Sequence, residues 1–81
     1  KIERINIAIS ENGNYAINES SMRNSTISDI VINLKAAANN IKDPVIVINA
    51  DSNSPHQSVI NVMEAARISG LSKITFSTKV E

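Results

Sequence analysis

The chain has 81 residues, with eight Lys plus Arg balanced by eight Asp plus Glu, no Cys or Trp, and a single Tyr and a single Phe. That length fits one domain rather than two. Zero net charge and almost no aromatic rings exclude a basic, base-stacking nucleic-acid binder, and the absence of cysteine excludes disulfides and thiol chemistry.

In chain order, Ile5, Ile7 and Ile9 alternate with Arg4, Asn6 and Ala8, the period-two pattern of a strand with one apolar face. Glu11-Asn12-Gly13-Asn14 is a turn signal, and Tyr15-Ala16-Ile17 reads as a short return strand, so residues 1–18 form a predicted β-hairpin. The polar stretch from Asn18 to Asn24 reads as loop. Thr26 with Asp29 three residues on is an approximate capping box, followed by Ile27, Ile30, Val31, Leu34, Ala37, Ala38 and Ile41 along one helical face. Asn39-Asn40 and Asp43-Pro44 end that helix.

Val45-Ile46-Val47-Ile48 is a β-branched run suited to a central strand or one covered on both faces. Ser54, Pro55 and Gln57 predict a second helix with Ser54 as N-cap, Pro55 at the first helical position and Gln57 completing a capping box. Val59, Val62, Met63 and Ala66 make its apolar face, Ile60 lies at the edge, and Gly70 suits the residue just past its end. Ile74, Phe76 and Thr78 mark a last strand. Strand 45–50, helix 55–69 and strand 73–78 then form a βαβ unit with parallel strands and a right-handed crossover. The predicted fold is α+β, a two-layer ββαβαβ arrangement with a mixed sheet of about four strands and two helices on one face. A fully buried Phe76 would cost roughly 3–5 kcal/mol on truncation to Ala. A cost under about 1 kcal/mol would mark it as exposed, at an interface.

No constellation of residues carries catalysis or a metal. His56 is the sole histidine, and a metal site needs companions that the chain lacks. Asp51 follows a central strand, where α/β folds place functional groups, but no second acid or base pairs with it, and binding of its carboxylate to loop amides explains it as well. The two glycines, Gly13 and Gly70, are used by the hairpin and the helix end, which leaves no phosphate-binding loop. No cofactor is expected. The strands at Lys1–Ser10 and Ile74–Thr78 are the expected sheet edges. Their free amides and carbonyls could template another strand, or be guarded by polar Asn, Ser and Thr side chains.

Three segments together carry a resemblance: Val45 to Asp51, a hydrophobic strand ending Ala-Asp; Pro55-His56-Gln57 through Val62-Met63-Glu64; and Gly70 through Lys73-Ile74 to Thr78. With Glu11-Asn-Gly-Asn-Tyr15 upstream, they resemble the periplasmic domain of the ExbD/TolR family over nearly the whole chain. His56, where TolR commonly has an aromatic, makes the chain closer to ExbD. Glu19, where the family often has Gly, points to an altered loop over residues 19–25.

The resemblance implies a non-enzymatic subunit of a proton-driven motor at the periplasmic side of the bacterial inner membrane. It implies a single transmembrane helix, absent from this sequence, that meets ExbB. It also implies a homodimer that engages a periplasmic peptide of TonB by strand pairing, with no nucleic acid as partner. Ile74, Thr75, Phe76, Ser77 and Thr78 are the expected partner-binding residues. The alternative is TolR-like binding of peptidoglycan. Because residue 1 is Lys rather than Met, residues 1–81 are expected to be one domain cut from a longer protein.

Overall fold

The alternation along the first strand becomes β1, Arg4–Ile9, with Ile5, Ile7 and Ile9 buried and Arg4, Asn6 and Ala8 exposed. The structure, a computed structural model, describes residues 3–18, 20–22 and 26–78. The further elements are β2 (Tyr15–Ile17), β3 (Ser20–Met22), α1 (Ile27–Ala37), β4 (Val45–Ala50), α2 (His56–Ile68) and β5 (Ile74–Thr78). The fold is α+β, as predicted, with five strands in the order β3-β2-β1-β4-β5 rather than about four.

The turn between β1 and β2 closes around three residues, Glu11 to Gly13, inside the Ser10–Asn14 pair. The Gly13 amide donates to the Ser10 carbonyl, the Ser10 amide donates to the Asn14 carbonyl, and Gly13 alone takes a positive φ, +83°. A Cβ on Gly13 would lie 3.0 Å from Ser58 Oγ and 3.4 Å from Pro55 Cγ, because the turn packs on the start of α2. Nearby, the Tyr15 hydroxyl donates to the Ser58 carbonyl in a buried bond of 3.2 Å. Gly13→Ala should therefore cost about 1–2 kcal/mol from the left-handed backbone alone, plus whatever the contact adds. Urea denaturation monitored by circular dichroism measures this, and an unchanged midpoint would show that the turn relaxes freely.

The third strand corrects the reading of Asn18 to Asn24 as loop. Asn18 turns the chain with φ 49°, and its amide and side-chain oxygen pair with Asn6 (Asn18 N–H to Asn6 O at 2.8 Å, Asn6 N–H to Asn18 Oδ1 at 3.0 Å). Ser20 to Met22 then pairs antiparallel with β2. Glu19 and residues 23–25, where the altered loop was expected, lie outside the described residues.

Helix α1 begins as its sequence predicts: Thr26 Oγ1 accepts the Asp29 amide and the Asp29 carboxylate accepts the Thr26 amide. Past its end, Asn40 and Asp43 take left-handed φ of 67° and 53° and redirect the chain into β4. Helix α2 departs from its predicted start. Pro55 is extended (ψ 136°) and is itself the N-cap, with no side-chain bond, so Ser54 caps nothing and His56 is the first helical residue. A turn upstream accounts for the shift. The Asp51 carboxylate accepts the Asn53 amide, the Asp51 carbonyl accepts the Ser54 amide, and Ser54 is held outside the helix. Gln57 bonds Asn61 one turn on rather than reaching back. The far end follows its prediction: Gly70 has φ +80°, its amide donates to the Arg67 carbonyl, and the Leu71 amide donates to the Ala66 carbonyl.

Strands β1 and β4 are parallel and in register from Arg4–Val45 to Ile9–Ala50, and β4 and β5 are parallel from Ile46–Ile74 to Ala50–Thr78. The expectation that the first strand is an edge is therefore corrected. Strand β1 lies between β2 and β4, and its three buried isoleucines join Ile46 and Ile48 in one apolar layer. Ile30 and Leu34 of α1 and Val62, Ala65 and Ala66 of α2 close that layer from the same side, which puts both helices on one face. Ile5, Ile7, Ile30, Leu34, Ile46, Ile48 and Val62 are the largest fully buried side chains, each contributing roughly 1.5–3 kcal/mol. Val45, Val47 and Asn49 are half-exposed on the helix-free face, so β4 is flanked by strands but covered on one side only.

Candidate functional site: the open edge at the last strand

Among the described residues no strand pairs with β5 on its outer side. Which main-chain groups are free there follows from hydrogen bonds further in. Val45 and Asp51 donate to Glu3 and Ile9, so the odd-numbered residues of β4 bond to β1. Ile46 donates to the Lys73 carbonyl at 2.8 Å, so the even-numbered residues bond to β5. In a parallel ladder with Ile46 opposite Ile74, the bonds from β4 go to the residues flanking each partner. Lys73, Thr75 and Ser77 thus turn their N–H and C=O groups inward. Ile74, Phe76 and Thr78 turn theirs outward, toward the open edge.

The side chains above this edge are apolar and poorly covered. Ile46, Ile48, Ile74 and Phe76 share the helix-side face through the register. Ile74 is half-buried, yet Phe76 is 52% exposed, because the helices cover the middle of the sheet and stop short of its last strand. The condition for a large core contribution from Phe76 is therefore not met. Helix α2 contributes Ile60 and Met63, 41% and 42% exposed. Met63 thus departs from its predicted place on the buried face, where Val62 and Ala66 lie as predicted, joined by Ser58 and Ala65. A groove runs between α2 and the start of β5, bordered by Ile60, Met63, Leu71 and Ile74.

The charges at this groove are paired. Arg67 Nε donates to Glu64 at 3.2 Å, and a second guanidinium nitrogen meets the other carboxylate oxygen. Hydrogen bonding to Arg67 holds the Glu64 carboxyl below its ordinary value, and the same bond raises Arg67. Both side chains are exposed, so this pair defines the rim rather than the stability of the fold. Lys73 Nζ lies 3.6 Å from Asp43.

Of the residues weighed for chemistry, Asp51 is exposed at the rim of a depression on the helix-free face, beside Ser10, Asn49 and Ser77, with its carboxylate bonded to the Asn53 amide. His56 is exposed on the first turn of α2. Among the described residues no three His, Asp or Glu side chains gather as metal ligands, and no helix is long and apolar enough to cross a membrane. Ile74, Thr75, Phe76, Ser77 and Thr78, expected as partner-binding residues, are the strand at this edge. Ile60 and Met63 were not among them; their exposure depends on where the sheet stops beneath α2, which spacing along the helix does not encode.

The family described as biopolymer transport protein ExbD/TolR matches residues 1–81. No curated protein matches the chain.

Proposed function

The chain belongs to the ExbD/TolR family of biopolymer transport proteins, and from that premise we propose that it is the periplasmic domain of an ExbD-type subunit of a motor driven by the proton-motive force. In this reading the domain has no catalytic or cofactor role. It dimerises, is tethered to the inner membrane beside ExbB by a transmembrane helix, and recruits an extended periplasmic segment of TonB to the edge of β5, so that outer-membrane transport is energised. The observation that carries the reading is the outward main chain of Ile74, Phe76 and Thr78, bordered by uncovered apolar side chains. A sheet edge of this kind binds an extended peptide through backbone hydrogen bonds.

Titrating the isotope-labelled domain with peptides from the TonB periplasmic region should move the amide resonances of residues 74–78 before any others. Shifts confined to other parts of the domain would reject the proposal. Retention of the domain on isolated peptidoglycan sacculi, with no response to TonB peptides, would assign it instead to the TolR-like role.

A further inference from the structure

We infer that the β5 edge selects its partner by pattern: it accepts a short extended segment whose alternate residues are apolar, with small polar residues between them. The inference rests on the docking role just proposed and specifies what the docked segment must look like. Two features of the edge coincide. The residues whose main chain faces outward, Ile74 and Phe76, are also those whose side chains lie on the helix side, level with Ile46 and Ile48. A strand added here continues the pleat, so every second side chain stands beside Ile74 and Phe76 and beneath Ile60 and Met63. Ile60, Met63 and Phe76 are now about half exposed to water, and an apolar side chain placed there removes them from it. The intervening side chains of the added strand fall on the helix-free face, next to Thr75 and Ser77, both polar, with Thr75 and Ser77 themselves exposed.

Charge and area decide between occupants. Among the described residues Glu64 is engaged by Arg67 and Lys73 lies by Asp43, so these give neither a basic nor an acidic segment a free counter-charge at the groove. Among the described residues the edge is five residues long, far short of the roughly 20–30 residues a side that a stable protein–protein interface uses. An extended peptide of about the same length as β5 pairs with all of it through main-chain hydrogen bonds, whereas a second folded copy would need further contacts beyond this strand.

The test uses the isotope-labelled domain and two capped nonapeptides of identical composition. One alternates valine with threonine or serine, and the other has its valines in one block. The alternating peptide should shift residues 74–78 and bind about tenfold tighter, the difference that about 1.4 kcal/mol makes. Ile60→Ser with Met63→Ser, both at exposed positions, should remove that preference and leave the amide spectrum of the fold intact. Equal affinity of the two peptides for residues 74–78 would overturn the pattern and leave the docking role standing. Shifts with TonB peptides but with neither designed peptide would do the same. No response at β5 to any peptide would overturn both. Shifts that follow domain concentration alone would make a second copy the occupant and overturn the inference.

Discussion

Ile46→Ala should lower the stability of the domain by about 3–5 kcal/mol, enough to leave a substantial unfolded population at room temperature. Ile46 has no exposed surface, sits on a strand flanked on both sides, and faces the layer that both helices close. Its truncation removes the transfer energy of three carbons and leaves a cavity that neighbours on two parallel strands cannot collapse to fill, which for buried isoleucines costs about 2–5 kcal/mol. A domain of this size has a total stability toward the lower end of about 5–15 kcal/mol. Chemical denaturation should therefore show a large fall in midpoint with little change in slope. Ile32→Ala, at a helical position 65% exposed, is the control and should stay within about 0.5 kcal/mol of the parent. Similar losses at both positions would mean that the apolar layer is not the principal source of stability.

Thr75→Pro and Phe76→Pro should separate by at least about 2 kcal/mol, although the two residues are neighbours on the same edge strand. The Thr75 amide points inward to the Ile46 carbonyl by the parity that the Ile46–Lys73 bond sets. Proline there removes a ladder bond, leaves a buried carbonyl unpaired and puts its ring between strands, for a loss of about 3 kcal/mol. The Phe76 amide points outward, and an edge strand tolerates proline where its N–H faces solvent. Phe76→Pro should therefore leave the domain folded at a cost of about 1 kcal/mol while abolishing peptide docking, since the middle donor of the edge is gone. Thermal melts and peptide titrations on the same two samples measure both effects. If Phe76→Pro proves the more damaging to stability, the inward and outward residues have been assigned the wrong way round.

The legible parts of this fold are those in which a side chain performs the structural task itself. Thr26 and Asp29 cap α1 with their own oxygens, Gly13 and Gly70 take the backbone angles other residues resist, and Ile5, Ile7 and Ile9 show their buried face by alternation. Where the main chain does the work, the sequence says little. Strand β3 has serines at two of its three positions and forms because Asn18 reverses the chain beside β2, so no apolar pattern announces it. The start of α2 is displaced by one residue because the Asp51 turn competes for Ser54, a tertiary placement that local capping preference does not contain. Strand order is also hidden: the first strand in the chain is interior because a partner some 40 residues away pairs with it. The site was legible as a strand and illegible as a surface. Residues 74–78 could be chosen from their position in the last βαβ unit, but Met63 and Phe76 have the periodicity of core residues, and with Ile60 at the edge of its helical face they are uncovered because the sheet runs past the helices.

The two margins of the sheet are unequal, and that inequality limits growth. On one side stands β3, three residues long and rich in serine; on the other stands β5, longer and bordered by apolar side chains. Endless stacking of copies would need each domain to offer a receptive rim at both flanks, as fibres do. Among the described strands only β5 is both long and bordered by apolar side chains, so the two rims do not match and copies of the domain do not stack into a continuous sheet.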